Sequence, residues 1–166
     1  MQWNYNELSE LRVLIVNTFP ELRTIIRGVL GDIGIHETYG AEDSQRALDM
    51  IPELKPDIAI FDSQIAPVNG VSLTKYIRRD PNSPMPELPI VLVATFWGEE
   101  LVFEARDAGA SEIVAKPFSA SALQKHVKAA TEYRPTIATG DYVGPDRRRK
   151  VESFIGPDKR RIQMAA

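Results

Sequence analysis

The sequence predicts an α/β fold in which five parallel strands form a doubly wound sheet with helices on both faces. Short apolar runs rich in Val, Ile and Leu are continuous rather than alternating, as expected for strands that are buried on both faces of a parallel sheet. Amphipathic segments of helical periodicity alternate with these runs. Five such strand–helix units within about 125 residues imply right-handed crossovers, that is, a (βα)5 arrangement.

Each apolar run gives one predicted strand, and each amphipathic segment gives one predicted helix. The predicted strands are Arg12–Val16, Ile35–Tyr39, Asp57–Phe61, Pro89–Ala94 and Glu112–Ala115, of which the second has the weakest apolar pattern. The predicted helices are Glu21–Leu30, Glu42–Glu53, Val71–Arg79, Glu99–Ala108 and Ala120–Glu132.

Proline, glycine and serine residues mark several ends of these helices. Pro20 fits the first turn of the first helix, and Gly31 or Gly34 would end that helix. Gly109 would end the fourth helix, and the Ser119 side chain is a candidate N-cap of the fifth. These residues agree with the limits that the periodicity predicts.

Length and composition are those of one globular domain with an extension. The chain has 166 residues, of which 43% are hydrophobic and 26% are charged. It has no cysteine, which excludes a disulfide framework and a thiolate metal site. Neither a signal peptide nor a membrane-spanning run is recognisable, so we expect a cytoplasmic protein without a membrane partner. We predict an N-terminal arm at residues 1–10, a domain at residues 11–133 and an irregular basic tail at residues 134–166.

Polar side chains that suit a phosphoryl group stand at three strand ends. Asp62 follows the third apolar run, Thr95 ends the fourth, and Lys116 follows the fifth. Ligands of doubly wound sheets bind at the carboxyl ends of the strands, so these side chains are expected to lie close together. A carboxylate, a hydroxyl and an ammonium group can together hold a phosphoryl group.

These residues and five short motifs resemble the receiver domain of response regulators of the CheY type over residues 11–131. The motifs are Val13-Leu-Ile-Val16, Gly70 eight residues after Asp62, Leu92-Val-Ala-Thr95, Ala105-Arg-Asp-Ala-Gly-Ala110 and Ala115-Lys116-Pro117-Phe118. The resemblance implies a flavodoxin/CheY-like fold and a place in a two-component phosphorelay. The implied partners are a histidine kinase or phosphotransfer protein and a downstream protein target, with the last two helices as the output face.

The same resemblance gives each site residue a chemical role. Asp62 is the implied phosphoacceptor, whose carboxylate attacks phosphorus and forms an acyl phosphate. Mg²⁺ would be held by Asp62 and the backbone carbonyl of Gln64. Lys116 would add positive charge, and the Thr95 hydroxyl would hydrogen-bond the phosphoryl group and act as the switch. No enzyme activity is expected beyond autophosphorylation and autodephosphorylation at Asp62.

Three positions depart from the pattern of this family. Asn17 and Thr18 stand where receivers carry a pair of metal-binding acids, which should weaken Mg²⁺ binding severely. The pocket then holds one negative and one positive side chain, so an ion pair between Asp62 and Lys116 could persist without metal. Ile113 replaces the Tyr or Phe that usually moves with the switch threonine.

The tail contains an eight-residue repeat and most of the excess positive charge. Tyr142-Val-Gly-Pro-Asp-Arg-Arg-Arg149, the first repeat, is matched twelve positions later by Phe154-Ile-Gly-Pro-Asp-Lys-Arg-Arg161, the second repeat. Residues 134–166 carry eight Lys/Arg and four Asp/Glu, a net charge of +4 in a chain whose net charge is −3. An aromatic and aliphatic anchor beside an Arg cluster indicates a docking element. Its expected partner-binding residues are Tyr142, Arg147, Arg148, Arg149, Phe154, Arg160 and Arg161.

The sequence is compatible with several functions. The leading hypothesis is an atypical receiver that acts by protein–protein interaction, with impaired Mg²⁺-dependent phosphorylation of Asp62. The alternatives are a conventional Asp-phosphorylated response regulator, and a ligand-sensing or scaffold module whose Arg-rich tail binds a nucleotide second messenger or an anionic partner. A further alternative is that the tail is only a solvated basic extension with no docking role. A homodimer through the tail or the last helices fits the charge asymmetry, whereas nucleic acid is not expected as a partner because about 30 residues hold no reading module.

Overall fold

A five-stranded parallel sheet forms the centre of the protein, whose computed structural model describes residues 8–95, 98–132 and 136–146. Its strands are β1 (Arg12–Val16), β2 (Glu37–Ala41), β3 (Ile58–Asp62), β4 (Ile90–Ala94) and β5 (Glu112–Ala115). Their order across the sheet is β2-β1-β3-β4-β5, so the winding direction reverses between β1 and β3. The predicted fold class is confirmed, and the ends of β1 and β3 meet at the point where doubly wound sheets bind ligands.

Five helices cover the two faces of this sheet. They are α1 (Pro20–Gly31), α2 (Ser44–Leu54), α3 (Gly70–Arg79), α4 (Glu99–Asp107) and α5 (Ala120–Thr131). Helices α1 and α5 pack on one face, where Val13 and Ile15 of β1 are buried. Helices α2, α3 and α4 pack on the other face with Leu14 and Val16. Alternate residues of one strand therefore serve two separate cores, which explains the continuous apolar runs.

The helix limits lie within one residue of the predicted ones, except that α2 begins at Ser44 rather than at Glu42. Pro20 is the first residue of α1, and the Ser119 side chain accepts a hydrogen bond from the backbone N–H of Ala122 at the start of α5. Gly109, at φ 92°, lies in the turn after α4. Of the two candidate glycines after α1, Gly31 is the last helical residue and Gly34 turns the chain at φ 89°.

Strand β2 is the element that the sequence placed least well. The prediction began it at Ile35, whereas the structure begins it at Glu37. The Ile35 N–H donates to the Leu30 carbonyl at 3.0 Å, so this residue still belongs to the turn that ends α1. Its buried side chain joins the core between α1 and α5, which accounts for the apolar signal that was attributed to a strand.

The sequence predicted an irregular tail, whereas the described part of the tail has regular secondary structure. Strands β6 (Thr136–Thr139) and β7 (Tyr142–Pro145) form an antiparallel hairpin that turns at Gly140, where φ is 57°. Strand β7 contacts α3 and α4 of the same chain. At the other end of the chain, Leu8 of the predicted arm is buried in the core between α1 and α5. Within the described residues, no helix is long and apolar enough to cross a membrane.

The N-terminal cap of α2 gives a test of local stability. The Asp43 side chain accepts a hydrogen bond from the Arg46 N–H at 2.7 Å and thereby caps the helix. We expect Asp43→Ala to lower the free energy of unfolding by about 1 kcal/mol in urea denaturation. The exposed neighbour Glu42 loses the same charge in Glu42→Ala without losing a cap. An equal effect of both substitutions would contradict the capping role.

Candidate phosphoacceptor site

Four side chains stand at the carboxyl ends of four neighbouring strands. Asn17 follows β1, Asp62 is the last residue of β3, Thr95 follows β4, and Lys116 follows β5. Asp62 is only 5% exposed and Asn17 only 2%. The parallel sheet therefore collects these side chains at one edge, as the sequence predicts.

The Asp62 carboxylate accepts hydrogen bonds at both of its oxygens. Its Oδ2 accepts from the Asn17 side-chain amide at 2.5 Å and from the Lys116 ammonium group, with which it also forms an ion pair. Its Oδ1 accepts from the backbone N–H of Gln64 at 2.9 Å. One carboxylate thus faces three N–H donors, one of which carries a full positive charge.

The orientation of the Asn17 amide is set by its own neighbours. Its Oδ1 accepts from the backbone N–H of Phe19 at 2.7 Å, which leaves the NH₂ group to donate to Asp62. The Asn17 backbone carbonyl accepts from the Arg23 guanidinium group at 2.5 Å. Asn17 therefore does more than replace an acidic residue, because its amide is oriented to donate a hydrogen bond to Asp62. The sequence predicted only the loss of a negative charge at this position, and no motif in it identified Arg23.

The two hydroxyl residues of the predicted site do not reach the carboxylate. Thr18 is exposed and Thr95 is half-buried, and no hydrogen bond joins either side chain to Asp62. Ile113, which stands in place of an aromatic residue, is half-buried against the core that contains α2, α3 and α4. The structure therefore joins Asn17, Asp62 and Lys116 by hydrogen bonds, and Thr95 stands at the same sheet edge without a hydrogen bond to Asp62.

Gly70 holds α3 close to the acceptor strand. Its N–H donates to the Ser63 carbonyl at 3.2 Å. A Cβ at Gly70 would meet the Asp62 backbone, 3.0 Å from its carbonyl carbon, and the Leu92 side chain at 3.1 Å. Only a residue without a side chain allows this approach, which explains in physical terms why position 70 is a glycine.

The side chains around Asp62 do not make a set of ligands for Mg²⁺. This ion takes six oxygen ligands in octahedral geometry and usually binds through one or two carboxylates. Among the described residues, no group of three or more His, Asp or Glu side chains is arranged to hold a metal. Among the four described strand-end residues Asn17, Asp62, Thr95 and Lys116, only Asp62 is a carboxylate, and Asn17 turns N–H groups rather than an oxygen toward it. The Gln64 carbonyl alone does not replace two acids.

Most of the predicted partner-binding tail lies outside the described residues. Arg147, Arg148, Arg149, Phe154, Arg160 and Arg161 belong to this part, and their proposed role stays a prediction. Tyr142 is described, and its hydroxyl donates to the Pro145 carbonyl at 2.9 Å. The first repeat therefore begins as strand β7, in which the hydroxyl of the first residue donates a hydrogen bond to the carbonyl of the last residue.

Comparison with known proteins agrees with the fold and identifies the family. Residues 13–128 match the family model of the response regulator receiver domain. The chain is 30% identical over 117 residues to the chemotaxis protein CheY-3 of Vibrio cholerae, which covers 70% of this chain and 88% of that protein. It is 30% identical over 122 residues to the chemotaxis protein CheY of Pseudomonas aeruginosa, which covers 74% and 97% respectively.

Solved structures give the same result. The chemotaxis response regulator CheY4 of Vibrio cholerae superposes with a TM-score of 0.65 at 26% identity, covering 72% of this chain and 98% of that one. A putative response regulator from Chloroflexus aurantiacus superposes with a TM-score of 0.68 at 27% identity, covering 74% and 98%. The strand order, the residues at the strand ends and these relatives lead to one conclusion: the chain belongs to the response regulator receiver family.

Proposed function

We propose that this receiver keeps its Asp62 pocket balanced without a metal ion, and that Mg²⁺-dependent phosphorylation of Asp62 is impaired. The protein then acts in signal transduction mainly through protein–protein contact. One observation carries this proposal: a single Asp62 oxygen is shared by the Asn17 amide and the Lys116 ammonium group.

Charge balance is the first argument. In this pocket the negative charge of Asp62 is balanced by the positive charge of Lys116, whose side chain is only 18% exposed. A divalent cation that enters must compete with this ammonium group at short range and in a medium less polar than water. It gains only one carboxylate in return, so its affinity should be low.

Nucleophilicity is the second argument. To attack phosphorus, an Asp62 oxygen must present a free lone pair in line with the leaving group. A carboxylate has about four lone-pair sites. Here two sites on Oδ2 and one on Oδ1 already accept hydrogen bonds, so attack would have to come from the remaining site on Oδ1. The acyl phosphate would add further negative charge, which Lys116 alone would offset. The expected result is slow phosphorylation and a weakly stabilised product.

An exposed surface supports signalling by contact. Phe103 of α4 is 57% exposed, and it lines a cavity with Arg106, Asp107 and Tyr142 of the hairpin. An aromatic residue that stays exposed on a helix next to a docked tail suits a protein partner. A downstream protein target on the α4–hairpin face therefore fits this chain, and a histidine kinase or phosphotransfer protein remains the donor if Asp62 is phosphorylated.

A conventional phosphorylated regulator is the second candidate. It is favoured by the positions of Asp62, Thr95 and Lys116 at the ends of three successive strands of the sheet. The two candidates differ in the strength of Mg²⁺ binding.

Mg²⁺ affinity measured by isothermal titration calorimetry separates the two candidates. We expect Asn17→Asp/Thr18→Asp to bind Mg²⁺ about 100-fold more tightly than the wild-type protein, because two carboxylates join Asp62. Adding Asp62→Asn to that variant should remove most of the gain. Wild-type affinity equal to that of the double variant would contradict the proposal.

A further inference from the structure

Helix α4 buries fewer residues than any other helix of the domain. Ala105 is its one buried residue, whereas α5 buries three and α3 buries five. The elements that α4 contacts most extensively are α3 and strand β7 of the hairpin. The position of α4 therefore depends on α3 and on the hairpin more than on the sheet.

The N-terminal half of α4 stands away from the loop that follows Asp62. A cavity of about 240 Å³ lies between them, lined by Ser63 and Gln64 of the loop and by Leu101 and Glu104 of α4. A second cavity, of about 360 Å³, lies between α3 and α4. Empty space of this kind leaves α4 room to move at its N-terminal end.

The C-terminal end of α4 is held against α3 by hydrogen bonds. Arg78 Nε donates to the Gly109 carbonyl at 3.0 Å, and Arg79 Nη2 donates to the Asp107 carbonyl at 3.1 Å. Arg78 is buried, and its Nη1 also donates to the Pro86 carbonyl at 2.8 Å. The turn after α4 is thereby tied to the end of α3.

The hairpin closes on the same turn from the other side. A Cβ at Gly144 would lie 2.7 Å from the Gly109 Cα atom. A Cβ at Gly109 would in turn collide with the Val143 carbonyl oxygen and lie 2.8 Å from Arg78 Cγ. Backbone therefore packs on backbone, and neither glycine can be replaced without separating β7 from the end of α4.

The hairpin is small enough to leave this position. Its two strands have four residues each, and within residues 136–145 only Gly144 and Pro145 are buried. An isolated two-stranded hairpin is at most marginally stable in water, so the hairpin depends on its contact with the domain. Opening such an element requires much less free energy than unfolding the domain.

We propose that the hairpin is a clamp on the C-terminal end of α4, and that its release frees the whole helix. While the hairpin is docked, α4 can move only at the end that faces Ser63 and Gln64. The tail then controls the mobility of α4 and of the exposed Phe103 without any change at Asp62. This regulation goes beyond the function proposed above, and because the clamp needs neither Mg²⁺ nor phosphate, the two proposals can fail separately.

Amide hydrogen exchange of the full-length variant Gly144→Val, measured without Mg²⁺, tests the clamp. The new side chain would collide with Gly109, so the hairpin leaves its position. We expect exchange to accelerate at least about tenfold in residues 136–145 and also in residues 103–110. Exchange in α1, which packs on the opposite face of the sheet, should stay within about twofold of the wild-type rate.

Two further variants of the hairpin serve as controls. Ala138→Val adds a side chain at an exposed position of β6, where a β-branched residue suits a strand, and should leave exchange in residues 103–110 unchanged. Tyr142→Phe removes the hydrogen bond to the Pro145 carbonyl without a collision. It should accelerate exchange in residues 103–110 by about fivefold, less than Gly144→Val does.

Three results would overturn the clamp. Faster exchange in the hairpin of Gly144→Val with unchanged exchange in residues 103–110 would show that α4 does not depend on the hairpin. Equal acceleration in α1 would show a general loss of stability instead of a local release. Unchanged exchange in residues 136–145 would show that Gly144 does not hold the hairpin on the domain. A Mg²⁺-dependent phosphoryl adduct on the wild-type chain would contradict the proposed function and leave these results unaffected.

Discussion

Replacing Lys116 with alanine is expected to lower the free energy of unfolding by about 3 kcal/mol. Asp62 is 5% exposed, and among the described residues Lys116 is the one cation that forms an ion pair with it. Without Lys116, a buried carboxylate keeps only the Asn17 amide and the Gln64 N–H as donors. The measurement is urea denaturation followed by circular dichroism at neutral pH.

Truncation of the acidic partner, Asp62, distinguishes the contribution of charge balance from that of packing. In Asp62→Ala the Lys116 ammonium group can turn toward water, because its side chain is already 18% exposed. This variant should lose clearly less stability than Lys116→Ala. The double variant should also be more stable than Lys116→Ala alone, because no unpaired buried charge remains. Additive losses would show that the pair contributes packing rather than charge balance.

Replacing Gly70 with alanine should be the second large effect, with a loss of about 2 to 3 kcal/mol. The new Cβ would collide with the Asp62 carbonyl group, which belongs to the central strand β3 and cannot move freely. The start of α3 must therefore shift, and the Asp62 backbone with it. Denaturation by urea gives the loss directly.

A second helical glycine provides the matched control. Gly28 lies inside α1, and a Cβ there would meet nothing within 4 Å. Gly28→Ala should therefore stabilise the protein by about 0.5 to 1 kcal/mol, because alanine is the better helix former. If Gly70→Ala stabilised the protein in the same way, the close approach of α3 to Asp62 would be wrong.

The fold was predictable because its signals are local and repeated. Continuous apolar runs identified the three inner strands and the edge strand β5, and Pro20, Gly109 and Ser119 marked the helix ends that the structure has. The edge strand β2 was placed two residues early because Ile35 is buried by the turn after α1 and not by the sheet. An apolar residue that is buried by a turn cannot be distinguished in the sequence from one that is buried by a sheet.

The site was predictable in its members but not in its contacts. Strand ends fixed where Asp62 and Lys116 would meet, and the ion pair expected between them is present. The role of Asn17 as a donor depends on the Phe19 N–H, which orients its amide, and such a contact has no sequence signature. The hairpin was not predicted because a Gly-Pro pair normally indicates a turn. Its place in a strand depends on the surface that buries it, and the sequence does not reveal that surface.

Intact mass after exposure to a small-molecule phosphodonor tests the central claim most directly. The wild-type chain is incubated with and without Mg²⁺ beside Asn17→Asp/Thr18→Asp and Asp62→Ala. We predict a Mg²⁺-dependent phosphoryl adduct on Asn17→Asp/Thr18→Asp and little or none on the wild-type chain, because Asn17 and Lys116 hold the Asp62 carboxylate without a metal. A wild-type adduct that requires Mg²⁺ and is lost in Asp62→Ala would contradict the account and establish a conventional phosphorylated receiver.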